Sequence, residues 1–234
     1  MDPAFARLLL ILGAYLVGAI PFGLLIAKSK GIDIRKHGSG NIGATNVGRV
    51  LGKKFFAICF TLDMLKGLAP TLAFGLVSGI IGSDEHVSPA DYWWWLGAMV
   101  APVLGHMFSP FIGFKGGKGV ATGLGSLLAV FPVMTIAAGV ALAVFLTTLK
   151  LSRYVGLSSS LASLSLPITT AVLVFVVGDG YAAAWPTVVA SAALAAVVIV
   201  KHRGNLSRTF KGTEPKAGSP RAASETIEST SNAR

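Results

Sequence analysis

The chain has 234 residues, of which 53% are hydrophobic and only 13% are charged, with a mean hydropathy of +0.70. Soluble domains carry about 25% charged residues, so this composition and its long apolar runs predict an integral membrane protein. The net charge of +10 does not indicate a nucleic-acid-binding protein, because the basic residues flank apolar segments and lack interleaved aromatic residues. The single cysteine, Cys59, excludes an internal disulfide.

The apolar segments at residues 4–27 and 55–80 are the first two predicted membrane helices, and a basic loop separates them. Residues 28–54 contain seven Lys or Arg side chains and a single acid. Because basic loops stay on the cytoplasmic side of a bilayer, this loop should lie inside and the N-terminus outside. Asp63 and Lys66, three residues apart within the second segment, are expected to form a structural ion pair.

Two polar segments stand out from the apolar background. Residues 37–49, His-Gly-Ser-Gly-Asn-Ile-Gly-Ala-Thr-Asn-Val-Gly-Arg, combine glycine, hydroxyl, amide and cationic groups and contain no carboxylate. Residues 114–122, Phe-Lys-Gly-Gly-Lys-Gly-Val-Ala-Thr, have the same character. Glycines let backbone N–H groups approach an anion closely, and Lys or Arg supplies the charge. Both segments are therefore predicted to hold phosphate groups.

The third predicted helix, residues 92–111, follows an acidic connection at 82–91. That connection carries three acids and no Lys or Arg, so the charge rule places it outside. The helix begins with Tyr-Trp-Trp-Trp, and such aromatic residues are typical of the membrane interface. It returns inward and brings residues 113–122 to the inner face.

The stretch 120–149 is about 30 residues long, whereas one crossing needs about 20. Basic residues flank both of its ends, so both ends are expected inside and the segment must enter the membrane and return. Pro132 breaks or kinks a helix, which predicts two short helices, at 120–131 and 133–149. Residues 116–119 precede the first of them, and this favours phosphate binding at its N-terminus.

Two further helices, at 155–177 and 182–200, complete an all-α integral membrane protein with about seven transmembrane helices and a cytoplasmic C-terminus. A third polar segment, residues 201–214, is basic and follows the last helix directly. The three polar segments are thus expected to converge on the inner face. Residues 1–212 are predicted to form one membrane domain, and 213–234 a disordered cytoplasmic tail rich in polar residues, Gly and Pro.

Three motifs in this order resemble those of the bacterial acyl-phosphate:glycerol-3-phosphate acyltransferases, the PlsY family. The first is Gly-Ser-Gly-Asn-Ile-Gly-Ala-Thr-Asn at 38–46 with Arg49, the second is Gly-His-Met-Phe at 105–108 together with 114–122, and the third is His-Arg-Gly-Asn at 202–205 with Gly212 and Glu214. The Asp-x-x-Lys-Gly run at 63–67 also fits. The resemblance covers about residues 4–214, and the motifs are highly specific.

The resemblance implies transfer of a fatty acyl group from acyl phosphate to the 1-hydroxyl of glycerol 3-phosphate, giving lysophosphatidate and inorganic phosphate. It also implies a seven-helix protein of the bacterial cytoplasmic (inner) membrane with a cytoplasm-facing site. The expected partners are acyl phosphate, glycerol 3-phosphate, membrane lipid and the acyl-phosphate-forming enzyme, without nucleic acid or cofactor. Acyl phosphate is already activated, so positioning and phosphate neutralisation suffice without a covalent acyl-enzyme.

The first motif is assigned to acyl phosphate. Ser39 is predicted to hold it by a hydrogen bond, since a nucleophilic role would need a His–carboxylate pair spaced around it. Arg49 is predicted to clamp phosphate through paired N–H donors, with a membrane-interface arginine as the alternative. Asn41 and Asn46 either bind substrate through their amides or shape the loop.

The second motif is assigned to glycerol 3-phosphate. Lys118 supplies the charge, and Lys115 either shares this role or anchors the loop at the membrane surface. Gly116, Gly117 and Gly119 are expected to place backbone N–H groups near the phosphate, at the positive end of the following helix.

In the third motif, His202 and Asn205 lie three residues apart and share a face if the last helix continues. Both are predicted to line the site. His202 acts either as a general base or as a hydrogen-bond donor to phosphate, and the donor role is favoured here, with a substrate phosphate taking the proton. Glu214 is predicted to be structural and to pair with a nearby Arg or Lys.

A membrane transporter of a phosphorylated metabolite is the alternative function. It should place phosphate-binding groups near the bilayer midplane, whereas the polar segments here cluster at one face. His86 and Asp91 have the His-x4-Asp spacing of another glycerolipid acyltransferase family, but they lie in the outer acidic connection with a proline between them. The four histidines and one cysteine show no metal-ligand spacing.

Overall fold

Helices are the only regular secondary structure in the part of the chain that the structure describes. This computed structural model describes residues 2–82, 87–178 and 181–217. The α-helices are α1 (Pro3–Gly18), α2 (Phe22–Lys28), α3 (Ala44–Leu51), α4 (Lys53–Val77), α5 (Pro89–Met107), α6 (Val120–Leu128), α7 (Val133–Ser152), α8 (Val155–Ala171) and α9 (Pro186–Phe210). Turns of 3₁₀-helix occupy Ile34–Lys36, Pro110–Ile112 and Ala182–Ala184, and a π-helical turn, Val172–Val177, extends α8. The all-α prediction is confirmed.

Six helical segments are long and apolar enough to cross a membrane by length and composition: Pro3–Lys28, Lys53–Val77, Pro89–Ile112, Val133–Ser152, Val155–Val177 and Ala182–Phe210. Helix α6 has nine residues, a length of about 14 Å against the ~30 Å of a hydrocarbon core. The count of seven crossings and the sidedness of the termini stay predictions. The predicted outer turn at Asp179 lies outside the described residues.

The predicted pair of helices within 120–149 is present, but its members are unequal. Helix α6 ends at Leu128, and α7 begins at Val133, directly after Pro132. Proline suits the start of a helix because it has no N–H to donate there, so the predicted bend is confirmed. Helix α7 continues to Ser152 and is a full-length helix rather than a short one.

The first predicted helix, residues 4–27, is interrupted between α1 and α2. Pro21 has no backbone N–H with which to continue the hydrogen-bond ladder. Side chains from distant parts of the chain bind the carbonyl groups at this break: Ser109 Oγ donates to the Ala19 oxygen, and Lys66 Nζ donates to the Ile20 oxygen, both at 2.6 Å. The break therefore ties α2 to α4 and to the segment that follows α5.

Glycines allow the closest helix crossings in the bundle. A Cβ at Gly105 of α5 would lie 2.1 Å from the Tyr15 oxygen of α1, and a Cβ at Gly125 of α6 would lie 1.9 Å from the Met64 oxygen of α4. Such contacts between backbones are typical of membrane helices, which pack through small residues. Large apolar side chains such as Leu151 are exposed on the outside, as expected for a surface that contacts lipid.

Candidate active site

The serine loop, residues 37–43, connects the first 3₁₀ turn to α3. Gly38 and Gly40 adopt positive φ angles of +60° and +69°, which side-chain-bearing residues rarely adopt. Ser39 is held between them and is exposed. Its hydroxyl has no hydrogen-bond partner among the residues described, so it is available to a ligand.

Asn46 of α3 holds the serine loop together. Its side chain is buried; Oδ1 accepts from the Ser39 N–H at 2.8 Å, and Nδ2 donates to the His37 and Asn41 oxygens at 3.0 and 2.9 Å. Both ends of this amide are used within the loop, which favours the loop-shaping role over substrate binding. Asn41 differs, because its Oδ1 accepts from the Gly43 N–H at 2.8 Å while its amide nitrogen has no partner in the described chain.

The glycine loop, residues 114–119, packs against the end of α5. The N–H groups of Gly116 and Gly117 donate to the Met107 and His106 oxygens at 3.2 and 3.1 Å. A Cβ at Gly116 would lie 1.9 Å from the His106 oxygen, and a Cβ at Gly117 would lie 2.2 Å from His106 Nε2. These two N–H groups are engaged within the protein and do not point to a free anion site, and the assignment of Gly116 and Gly117 to substrate binding stays a prediction. Close packing is what requires the two glycines.

The N-terminus of α6 has free N–H groups, and its predicted role in binding phosphate stays a prediction. Gly119 adopts a φ of +74° and caps this helix. The first hydrogen bond of α6 runs from the Gly123 N–H to the Gly119 oxygen at 2.7 Å, so the N–H groups of residues 120–122 remain available to an anion. Lys115 is exposed on the loop before it.

A chain of polar contacts links the second motif to the third. Lys118 Nζ donates to Asn205 Oδ1, Asn205 Nδ2 donates to Glu214 Oε1 at 2.5 Å, and Arg208 Nε donates to Glu214 Oε2 at 2.7 Å. Helix α9 continues to Phe210, so Asn205 shares a face with His202 as predicted. The predicted pairing of Glu214 with an arginine is also observed.

Among the residues that the structure describes, cations outnumber carboxylates around Lys118. Burial lowers the pKa of the Lys118 ammonium to about 8; the charges of Arg208 and Arg49 act in the same direction, and Glu214 opposes them. The cluster therefore carries net positive charge, which favours an anionic ligand. Arg49 lies on α3 and has no carboxylate partner in the described chain, and its charge has the smallest effect of those that act on the Lys118 pKa.

His202 of α9 is 2% exposed, and its Nδ1 lies 2.9 Å from the Val198 oxygen. A carbonyl oxygen only accepts hydrogen bonds, so Nδ1 carries the hydrogen and Nε2 of the neutral ring is an acceptor. The neutral ring can thus accept a proton but cannot donate to phosphate through Nε2. This geometry favours the general-base role over the donor role preferred from the sequence.

Asp63 and Lys66 form the predicted ion pair, with Oδ1 and Nζ 2.8 Å apart and each side chain 2% exposed. Two further groups join it: His106 Nδ1 lies 3.6 Å from the same Oδ1, and Cys59 Sγ donates to Asp63 Oδ2 at 3.6 Å. The only sequence signal for His106 was its place in the Gly-His-Met-Phe run of the second motif, from which no site role was assigned.

An apolar cavity lies between α4, α6, α7, α8 and α9, next to the cation cluster. Its wall includes Gly119 and Val120, which follow Lys118 directly, and Val198, the partner of His202. Most of the other lining side chains are apolar, among them Leu124, Leu127, Leu142, Phe145, Leu166 and Leu194. A ligand with a phosphate at one end and a hydrocarbon chain at the other matches this arrangement.

A family model for glycerol-3-phosphate acyltransferases matches residues 8–212. The chain belongs to this family. A glycerol-3-phosphate acyltransferase of Trichlorobacter lovleyi is 43% identical over 211 residues, which cover 90% of this chain and 97% of the relative. The acyltransferase of Aquifex aeolicus is 43% identical over 210 residues, covering 88% and 97%.

Two solved structures of the PlsY family share the fold. A crystal structure of PlsY, an integral membrane glycerol 3-phosphate acyltransferase, in its glycerol 3-phosphate form is 40% identical, with a TM-score of 0.74 over 91% of this chain and 96% of that one. The lysophosphatidic acid form is 39% identical, with a TM-score of 0.73 over 90% and 95%. These similarities confirm that the chain is an all-α, multi-pass integral membrane protein of the PlsY family.

The first residues after the predicted domain boundary at 212 are docked on the helices. Besides the contacts of Glu214, the Ala217 N–H donates to the Arg153 oxygen at 2.7 Å, and Arg153 Nη2 donates to the Ala217 oxygen at 3.0 Å. The packed domain therefore extends to residue 217, and the predicted tail beyond it lies outside the described residues. So does His86, while Asp91 pairs with Arg7.

Proposed function

We propose that this protein transfers a fatty acyl group from acyl phosphate to the 1-hydroxyl of glycerol 3-phosphate, with lysophosphatidate and inorganic phosphate as products. The observation that carries the proposal is the meeting of a net-positive cluster and an apolar cavity at Lys118 and Gly119. The cluster fits the substrate phosphates, and the cavity fits an acyl chain. The glycerol 3-phosphate and lysophosphatidic acid forms of the related PlsY support this acceptor and this product.

The two motif loops divide the two phosphates between them. Ser39 donates its free hydroxyl to acyl phosphate, and Arg49 clamps the same phosphate with paired N–H groups. Lys118 and the N-terminus of α6 bind glycerol 3-phosphate. Asn205 and Glu214 hold Lys118 in place through the contacts described above.

The chemistry then proceeds without a covalent acyl-enzyme. The 1-hydroxyl oxygen attacks the acyl carbonyl carbon, the bond from that carbon to the phosphate oxygen breaks, and inorganic phosphate leaves. His202 Nε2 accepts the hydroxyl proton, a role supported by its Nδ1–H donating to the Val198 oxygen. The surrounding cations stabilise the negative charge on the departing phosphate.

The excess of basic residues at this end of the bundle supports a site that faces the cytoplasm from the bacterial inner membrane. There the protein would meet water-soluble glycerol 3-phosphate from one side and membrane-dissolved acyl chains from the other. The enzyme that forms acyl phosphate would be the source of the donor.

An acyl-transfer assay on the purified protein in lipid vesicles tests the proposal. Glycerol 3-phosphate is offered with acyl phosphate, acyl-CoA or acyl carrier protein in turn, and lysophosphatidate is measured. Product from acyl phosphate alone is expected. Turnover of acyl-CoA at a similar rate would overturn the donor assignment. No product from any donor, combined with uptake of glycerol 3-phosphate into the vesicles, would favour the transporter instead.

A further inference from the structure

Asp63 lies where two arms of buried contacts meet, and each arm leads to a different motif loop. Its Oδ1 is 2.8 Å from Lys66 Nζ and 3.6 Å from His106 Nδ1. The three residues are 1%, 4% and 5% exposed. We propose that Asp63 is a positioning residue, which sets the serine loop and the glycine loop relative to each other through Lys66 and His106.

The first arm runs from Asp63 to the serine loop. Lys66 Nζ donates to the Ile20 oxygen at 2.6 Å, at the break before α2. Helix α2 begins two residues later and packs directly on the serine loop, because a Cβ at Gly23 would lie only 1.8 Å from the Ile42 oxygen. With so little clearance, a shift of the break moves α2 and the loop that contains Ser39 together.

The second arm runs from Asp63 to the glycine loop. The His106 ring lies against Gly117, where Nε2 occupies the space that any Cβ would need, and the His106 oxygen accepts the Gly117 N–H at 3.1 Å. Lys118 follows Gly117 in the chain. The position of the His106 ring therefore limits where the main chain can lie at Gly117, directly before Lys118.

Stability alone does not call for this arrangement. A buried ion pair is often no more stabilising than apolar side chains of the same volume, and ionisable groups inside a membrane bundle are costly. Three of them share one site here; the Lys66 side chain bonds the Ile20 oxygen, and the His106 ring packs against Gly117. Asp63 is the residue that Lys66 and His106 have in common, so it connects the break before α2 with the end of α5.

Kinetic constants for the two substrates test the inference, which rests on the proposed function for assigning each loop to a substrate. Lys66→Met should raise the KM for acyl phosphate, His106→Gln should raise the KM for glycerol 3-phosphate, and Asp63→Asn should raise both, each on the order of tenfold. Asp91→Asn makes the same chemical change in the Arg7 ion pair and should alter neither. A uniform fall in kcat with both KM values unchanged would mean a merely structural role and would overturn the inference.

Hydrogen–deuterium exchange of the purified variants in detergent gives a readout that needs no turnover. Lys66→Met should speed exchange in residues 37–43 and His106→Gln in residues 114–119, while the other loop stays as in the wild type. If either single variant changed the exchange rates of both loops equally, the inference would be overturned, whatever the substrates are. If Asp63→Asn does not fold, the double variant Asp63→Asn/Lys66→Met removes the unpaired charge, and it should still loosen both loops. A wild type that turns over no acyl phosphate would refute the proposed function, and the exchange result would still decide this inference.

Discussion

The two ends of helix α5 differ in how charge is used. Near its start, Arg7 pairs with Asp91 at 3.2 Å and lies 5.9 Å from the Trp94 ring centre, and Ser88 Oγ donates to the same carboxylate at 2.7 Å. Near its end, Arg208 pairs with Glu214 at 2.7 Å, while Lys118 and Arg49 have no ion-pair partner among the described residues. Charge that is paired within the protein serves packing, whereas unbalanced positive charge is what remains for a ligand.

The largest effect on acyl transfer is expected from Ser39→Ala, because the Ser39 hydroxyl is a hydrogen-bond donor without a partner among the described residues. Removing one preorganised hydrogen-bond donor from a site of developing charge lowers kcat by about 10²- to 10³-fold. Lysophosphatidate formation from acyl phosphate measures it. The matched control is Ser29→Ala, since the Ser29 hydroxyl already donates to the Ile26 oxygen and should not affect turnover. Full activity in Ser39→Ala would remove this serine from the site.

The next effect concerns the charge of Lys118. The pKa of its ammonium is lowered from 10.5 to about 8, so the protonated, phosphate-binding form dominates below about pH 8 and is lost as the pH rises. The KM for glycerol 3-phosphate should therefore increase about tenfold for each pH unit above that value. The KM for glycerol 3-phosphate, measured between about pH 7 and pH 9.5, shows whether this rise occurs.

Lys118→Arg separates the charge from other alkaline effects. A guanidinium stays protonated throughout this range, so the variant should lose the rise in KM even if its affinity at neutral pH is lower. A wild-type KM that stays flat up to about pH 9.5, or a rise that persists in Lys118→Arg, would contradict the assignment.

A smaller effect is expected where the chain leaves α9. A chain ending after Ala217 keeps the Glu214 contacts to Asn205 and Arg208, whereas a chain ending after Gly212 loses them. Hydrogen bonds to charged groups contribute about 1.5–3 kcal/mol each, so the shorter chain should lose about tenfold or more in kcat/KM. Equal activity of the two truncations would show that Glu214 does not hold the site.

The smallest effect is expected near the start of α5, where Arg7 and Asp91 are paired. Asp91→Asn breaks a partly exposed ion pair, which contributes about 0–1 kcal/mol, and should lower the melting temperature only slightly without changing acyl transfer. Thermal unfolding in detergent and the lysophosphatidate assay measure the two quantities. A marked loss of acyl transfer would contradict the view that paired charge at the start of α5 serves packing only.

Much of this fold was predictable because its determinants are local. Long apolar runs, basic loops and Pro132 mark helices and bends within short windows, and the Asp63–Lys66 pair follows from a spacing of three residues in one helix. The glycine loop shows the limit of such reasoning. Gly116 and Gly117 have the composition of an anion-binding turn, yet their N–H groups are bonded to the end of α5.

By itself the sequence determined the membrane class, the three motifs and the residues that carry their charge and hydroxyl groups. The tertiary structure decided which of those groups are free. The Asn46 side chain is hydrogen-bonded within its own loop, and Glu214 accepts a hydrogen bond from Asn205. His106 lies 3.6 Å from Asp63 although the two residues are 43 positions apart along the chain. Hydrogen bonds and ion pairs depend on distances of a few ångströms, and only packing sets those distances between residues far apart in sequence.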